Sequence, residues 1–215
     1  MPKPRRPRKS PKSPIAPRKQ PAQARSAQLV ADLLAAAIRV LERDGPRRFT
    51  TIRVAEAAGV SVGSLYQYFP NKQAILYRLQ VDEWRATGAM LEAILGDDAR
   101  APDVRLRAAL RAFFRSECDE APLRHALDVA LPAYVDEPDV HGDKHEGSDT
   151  VARFIAAAAP RATPSQRRFA GELLFATMSS LGEHVSERGL SRAEVDRWAD
   201  AAAEMLNAYL SQLHA

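Results

Sequence analysis

Apolar positions at the start of the folded chain recur at steps of three and one: Val30, Leu33, Leu34, Ala37, Ile38 and Leu41 fall on one face of a helix. Asp44-Gly45-Pro46 predicts its end, because glycine supplies a C-terminal cap and proline cannot continue the helix. A second, short helix is predicted from the Thr50-Thr51 cap through Ala58, followed by a turn at Gly59. Ser61 then caps a further short helix over Val62 to Phe69, which Pro70-Asn71 closes, and Asn71 opens a longer one carrying Ile75, Leu76, Leu79, Ala86, Met90 and Ile94. Beyond residue 95 no segment alternates like a strand. Pro102 and Pro122 each stand where a proline starts a helix, followed by Val104, Leu106, Leu110, Phe113 and Phe114, and by Leu123, Leu127 and Leu131. Residues 136–149 read as an acidic, glycine-bearing loop, and Val151, Phe154, Ile155 and Ala158 as another amphipathic set. Two capping boxes, Thr163-Pro164-Ser165-Gln166 and Ser191-Arg192-Ala193-Glu194, open the last two helices, with Gly189 between them. The expected fold is all-α, with no internal repeat.

Length and composition fit an ordinary globular chain. At 215 residues it makes one large domain or two small ones, at roughly 150 residues per domain. With 46% hydrophobic and 27% charged residues it needs neither disulfides nor a metal to hold a core. No apolar run approaches the roughly 20 residues of a bilayer span, and the basic, proline-rich start lacks the apolar stretch of a secretory signal, so a cytoplasmic protein with no membrane contact is expected. The single cysteine, Cys118, rules out an intrachain disulfide and a multi-cysteine zinc site.

Charge changes the picture more. The net charge of +4 conceals a division: residues 1–80 hold 16 Lys/Arg against 4 Asp/Glu, and residues 81–215 hold 15 against 23. A strongly positive first part joined to an acidic remainder points to a polyanion as partner of the first part, nucleic acid above all. Residues 1–25 contain nine Lys/Arg, seven prolines and no acid. Such a composition cannot bury enough surface to fold alone and reads as an extended arm, either gripping phosphates or only keeping the chain soluble.

A short helix, a glycine turn and a second short helix packed on an amphipathic first helix make a helix-turn-helix. Ala55 and Ala58 are small enough for close crossing, Leu65 is expected to face inward as the anchor, and Val62, Gly63, Ser64, Gln67 and Tyr68 are expected to point outward, where small and polar groups could touch bases or phosphates. The residues Thr50-Thr51, Val54-Ala55, Ala58-Gly59-Val60-Ser61, Gly63-Ser64-Leu65-Tyr66-Gln67-Tyr68-Phe69 and Asn71-Lys72 closely resemble the DNA-binding domain of the TetR family of transcriptional regulators. The resemblance spans about residues 26 to 80. It implies that Thr51 and Arg53 lie at phosphates, that Val62, Gly63, Ser64 and Gln67 follow the major groove, and that Tyr66, Tyr68 and Lys72 hold the flanking backbone. Lys72 at the amino end of a helix opposes the helix dipole, which makes sense if a phosphate sits against that end.

For the rest of the chain the resemblance implies an architecture: a helical sensor domain with an effector cavity, and a homodimer through the last two helices. The expected organisation is an arm over 1–25, a helix-turn-helix domain over 26–86 and an effector-binding and dimerisation domain over 87–215. By position, Phe113, Phe114, Phe154, Phe175 and Met178 are expected to wall a cavity for an apolar or amphipathic small molecule, core packing being their competing role. His141 and His145, with Asp139, Asp143 and Glu146 nearby, read as a solvated acidic loop rather than a metal site, and Cys118 lacks a neighbouring cation that would lower its pKa. No catalytic set and no cofactor motif stands out, so no enzyme is expected. The function expected is a ligand-responsive repressor that binds a palindromic double-stranded DNA operator, the alternative being a ligand-independent DNA-binding or architectural protein that uses its arm.

Overall fold

The computed structural model of the chain describes residues 24–130 and 144–213. Eight α-helices and one 3-10 turn make up this part, with no strand among the described residues: α1 (Ala24–Asp44), the 3-10 turn Pro46–Arg48, α2 (Thr51–Ala57), α3 (Val62–Tyr66), α4 (Lys72–Leu95), α5 (Pro102–Ala130), α6 (Lys144–Ala158), α7 (Pro164–Ser186) and α8 (Arg192–Ser211). They form two compact units whose boundary falls inside α4, between Leu79 and Gln80. Residues 1–23 of the expected arm lie outside the described residues, and its last two, Ala24 and Arg25, already belong to α1.

In the first unit α1 buries the predicted stripe: Val30, Leu33, Leu34, Ala37 and Leu41, with Ala36 and Val40 beside it. Helix α1 packs on α2, and α2 on α3. Leu65, Phe49, Phe69, Ile75 and Leu76 are all almost wholly buried, which at about 25 cal/mol per Å² of apolar surface is the main force holding such short helices in place.

The core of the second unit is drawn from α4 to α8 and includes Leu95, Leu106, Leu110, Phe114, Phe154, Ile155, Leu174, Val195, Leu206 and Leu210. Helix α5 is stapled to α8 by a ladder of ion pairs at four-residue intervals. Arg111 and Arg115 each make a two-pronged contact, to Asp200 (2.7 and 2.6 Å) and to Asp196 (2.7 and 2.5 Å), with Arg107 and Glu204 at 3.8 Å. Hydrogen bonds from those arginines hold the Asp196 and Asp200 carboxyls below the usual carboxylate range.

Both predicted capping boxes form. Thr163 Oγ1 accepts from the Gln166 N–H while the Thr163 N–H donates to Gln166 Oε1 at 2.7 Å, and Glu194 Oε2 accepts from the Ser191 N–H at 2.9 Å.

Two expectations fail. Pro122 does not begin a helix, because α5 runs through it to Ala130. Arg124 spans the turns on either side of the proline, pairing with Glu117 and Glu120 on α5 and with Glu83 on α4, and this cross-bracing offsets the donor that proline removes. The loop expected over 136–149 is helical from Lys144 onward, so its second half, Gly147 included, belongs to α6. Residues 136–143, with His141, lie outside the described residues, and no group of metal-ligating side chains occurs among those described.

Candidate nucleic-acid interface

The helix-turn-helix is built by its caps. Thr50 is extended (φ −138°, ψ 152°) and its hydroxyl accepts from the Arg53 N–H at 3.3 Å, which starts α2. Helix α2 closes on Gly59 at φ 70°, with Gly59 N–H to Glu56 C=O (3.1 Å) and Val60 N–H to Ala55 C=O (3.0 Å), the paired bonds of a Schellman turn that a left-handed residue permits. Ser61 then caps α3, its hydroxyl accepting from the Ser64 N–H at 3.1 Å and lying 2.9 Å from Ser64 Oγ. The helix is shorter than expected. It ends at Tyr66, because the Tyr68 N–H turns back to Leu65 C=O and Pro70 follows.

Around the anchor Leu65, which is fully buried, the predicted contact residues separate. Gly63 and Gln67 are exposed, and Val62 and Ser64 are half-buried. A Cβ on Gly63 would meet nothing closer than Ser61 Oγ at 3.8 Å, so the fold does not need a glycine there; the space it leaves is on the outside. Tyr66 is 41% exposed and its hydroxyl lies 3.1 Å from Thr51 Oγ1. Thr51 itself is buried and serves as that partner, leaving Thr50, Arg53 and Glu56 as the exposed polar side chains of this helix start. Tyr68 does not point outward. It is 6% exposed, because the tightened turn after Tyr66 rotates its ring into the core beside Phe69.

Two cations stand at helix amino ends. Lys72 is the first residue of α4; it is exposed and has no ion-pair partner among the described residues. Arg53, in the first turn of α2, is 43% exposed and donates from Nη1 to Asp44 Oδ2 at 2.9 Å. Asp44 also takes both prongs of Arg43, Nε to Oδ1 and Nη2 to Oδ2, each at 2.9 Å. These bonds, that from Arg43 foremost, hold its carboxyl far below the usual range. Asp44 escapes a reading of the sequence that looks only for cations and outward polar groups. Its signal is an anion in the last turn of a helix, where the dipole disfavours it unless a cation is brought there.

In the second unit the residues expected to wall a cavity divide in the same way. Phe113, Phe114, Phe154 and Met178 all join one buried core, with the Phe113 and Phe114 rings 6.2 Å apart and tilted by 56°. Phe175 does not join them and is 72% exposed, since its position on α7 is turned away from the Leu174–Met178 face. Burial, with Asp119 beside it, pushes the Cys118 thiol up, away from the reactive thiolate. No described helix is long and apolar enough to cross a membrane.

Residues 33–79 match the family described as bacterial regulatory proteins, tetR family, and residues 101–213 match the tetracyclin repressor-like C-terminal domain. Solved structures share the fold. The chain is 19% identical to a Mesorhizobium loti protein assigned to the TetR family of transcriptional regulators, covering 87% of this chain and 98% of that one at a TM-score of 0.67. It is 22% identical to a tetR-family bacterial regulatory protein of Rhodococcus RHA1 (83% and 97%, TM-score 0.62). It is also similar to the fatty acid degradation regulator FadR of Bacillus halodurans, at 16% identity (82% and 97%, TM-score 0.59). No curated protein matches the chain.

Proposed function

Because this chain belongs to the tetR family of bacterial regulatory proteins, we propose that it is a dimeric, cytoplasmic repressor that binds a palindromic double-stranded DNA operator and is released from it by an apolar or amphipathic small molecule. The observation that carries the reading is the outer surface of α3. It is small and polar, uncharged, and held rigid by Leu65 beneath it and a serine cap at its start, while exposed cations stand at the adjoining helix ends at Arg53 and Lys72. Fixed polar groups over a groove supply base choice and flanking cations supply phosphate attraction. In this reading Val62, Gly63, Ser64 and Gln67 face bases, and Arg53, Tyr66 and Lys72 face the backbone. Tyr68 supports them from the core, and Thr51 acts through Tyr66.

The dimer is proposed through α7 and α8. Phe169 (57% exposed) and Met205 (55%) share helix faces with half-buried Leu173, Leu181, Trp198 and Tyr209 at spacings of four, seven and eight residues, an apolar stripe wider than one chain covers. Leu206 is core in its own chain, so replacing it would unfold the unit rather than separate protomers. Phe169→Glu with Met205→Glu is expected to give folded monomers by light scattering that lose operator affinity; a double variant that stays dimeric removes this interface. The effector site is proposed in the core near Phe113, Phe154 and Met178, without Phe175.

Selection of genomic DNA by the purified protein tests the whole reading. One short inverted repeat is expected, with affinity reduced at least tenfold by Gln67→Ala on that repeat and little changed on unrelated DNA. Equal affinity for every fragment would replace it with sequence-independent binding.

A further inference from the structure

We propose that Asp44 is a positioning residue for DNA recognition, a fixed post that holds the Arg53 guanidinium in place for a phosphate. The inference rests on the reading of Arg53 as a DNA contact and adds a residue that neither touches DNA nor belongs to α2 or α3.

The carboxylate is well suited to this. Its side chain is only 13% exposed, and Arg43 grips both of its oxygens, so its orientation is set before Arg53 arrives. Arg53 spends one nitrogen on it, Nη1, and keeps Nε and Nη2 without an acceptor among the described residues while remaining 43% exposed. A guanidinium tethered at one corner has lost most of its rotamer freedom yet retains a donor edge for another anion. Two guanidinium groups against one carboxylate leave the trio at +1, so a phosphate is still attracted.

Helix dipoles strengthen the argument. Asp44 is an anion in the last turn of α1 and Arg53 a cation in the first turn of α2, each on the unfavourable end of its own helix. Neutral residues at both positions would remove both costs. The pair makes sense if a cation has to be presented at the start of α2, with Asp44 offsetting the dipole there until DNA binds.

The sign of one substitution separates positioning from simple neutralisation. Asp44→Asn removes a negative charge from a DNA-facing unit, so Coulomb attraction alone predicts tighter binding. Loss of preorganisation predicts weaker binding, by about threefold to tenfold per half-site if one long side chain must be newly ordered. The full-length protein and its selected operator duplex would be compared by fluorescence anisotropy between about 50 and 200 mM salt, for Asp44→Asn, Arg53→Ala and the double variant, with thermal melting as a control. The expected pattern is weaker binding by Asp44→Asn in the parent, a log-log salt slope lowered by about 0.9 per lost contact in Arg53→Ala, and no further loss when Asp44→Asn is added to Arg53→Ala. Tighter or unchanged binding by Asp44→Asn, while Arg53→Ala still weakens it, overturns the positioning role and leaves Arg53 a DNA contact. An equal loss in both backgrounds also overturns it, since the effect then bypasses Arg53. If Arg53→Ala changes neither affinity nor slope, the reading of Arg53 itself fails. Should Asp44→Asn melt far below the parent, Asp44→Glu carries the comparison: affinity near the parent's supports the role, and tighter binding overturns it.

Discussion

Gly182 tests how closely the second unit is packed. It lies buried on α7, and a Cβ placed there would come 2.7 Å from Phe113 Cε1 and 3.0 Å from Glu117 Cγ, both on α5. Neither neighbour can yield easily. Phe113 is 9% exposed and leans on fully buried Phe114, and Glu117 is pinned by Arg124. Gly182→Ala should gain up to about 1 kcal/mol of helix propensity but lose about 1–3 kcal/mol to overpacking. Where the clash dominates, the net is a destabilisation of about 1–2 kcal/mol, lowering the melting temperature by roughly 2–8 °C in a chain of this size. Urea unfolding at constant slope reads it directly. Phe113→Leu, destabilising on its own, should cost less in the Gly182→Ala background because the shorter side chain vacates the disputed volume. A Gly182→Ala protein as stable as the parent, or more so, would show that α5 and α7 do not approach this closely.

Gly63 gives the opposite result, since a Cβ there would make only an ordinary contact with Ser61 Oγ at 3.8 Å: Gly63→Ala should change stability by less than about 1 kcal/mol while lowering operator affinity at least tenfold, and unchanged affinity would mean that the outer surface of α3 does not lie against DNA. The α5–α8 ladder sets an acid limit. Asp196 and Asp200 have folded-state pKa values below their ordinary ones, so their contribution is complete above about pH 5 and drains as pH falls through and below about 4; Asp196→Asn with Asp200→Asn should lower stability at pH 7 and flatten the acid limb of a pH–urea profile, whereas an unchanged limb would mean the ladder is not formed in solution.

The ends of the helix-turn-helix elements are legible in the sequence because local chemistry sets them. Thr50, Gly59, Ser61 and Asn71 each act within a few residues of themselves, and each does what its residue type predicts, Asn71 Oδ1 accepting from the Ala74 N–H at 2.8 Å. Two capping boxes placed the last two helices for the same reason. What failed depended on partners distant in sequence. Nothing near Pro122 announces that Arg124 will reach Glu83 across 41 residues. Phe175 and Met178 differ by three positions on α7 and look alike as apolar residues, yet one is 72% exposed and the other 6%, because the partner helices occupy only one side. Tyr68 turns inward because α3 ends at Tyr66, three residues before the Phe69 that the sequence pattern suggests, and Asp44 is hard to read because the residue it serves lies on another helix.

Helix ends sort the arginines of this chain by what they do. Arg105 is 4% exposed, donates from Nη1 to Leu95 C=O at 2.9 Å and to Asp98 at 2.7 Å, and lies 5.6 Å from the Phe154 ring centre. Arg39 reaches Ala57 C=O at 3.4 Å and Arg167 reaches Pro160 C=O at 2.7 Å. Each of these three donates to a carbonyl at or just beyond the end of a helix, where the dipole welcomes a cation and the last carbonyls lack intrahelical donors, so folding alone accounts for them. Arg53 and Lys72 also lie in the first turns of their helices, but neither donates to such a carbonyl among the described residues. Arg53 turns instead to the Asp44 carboxylate, whereas Lys72 has no ion-pair partner among the described residues. A phosphate bound against the start of α4 would meet the Lys72 ammonium beside a first turn in which Asn71 already caps the Ala74 N–H.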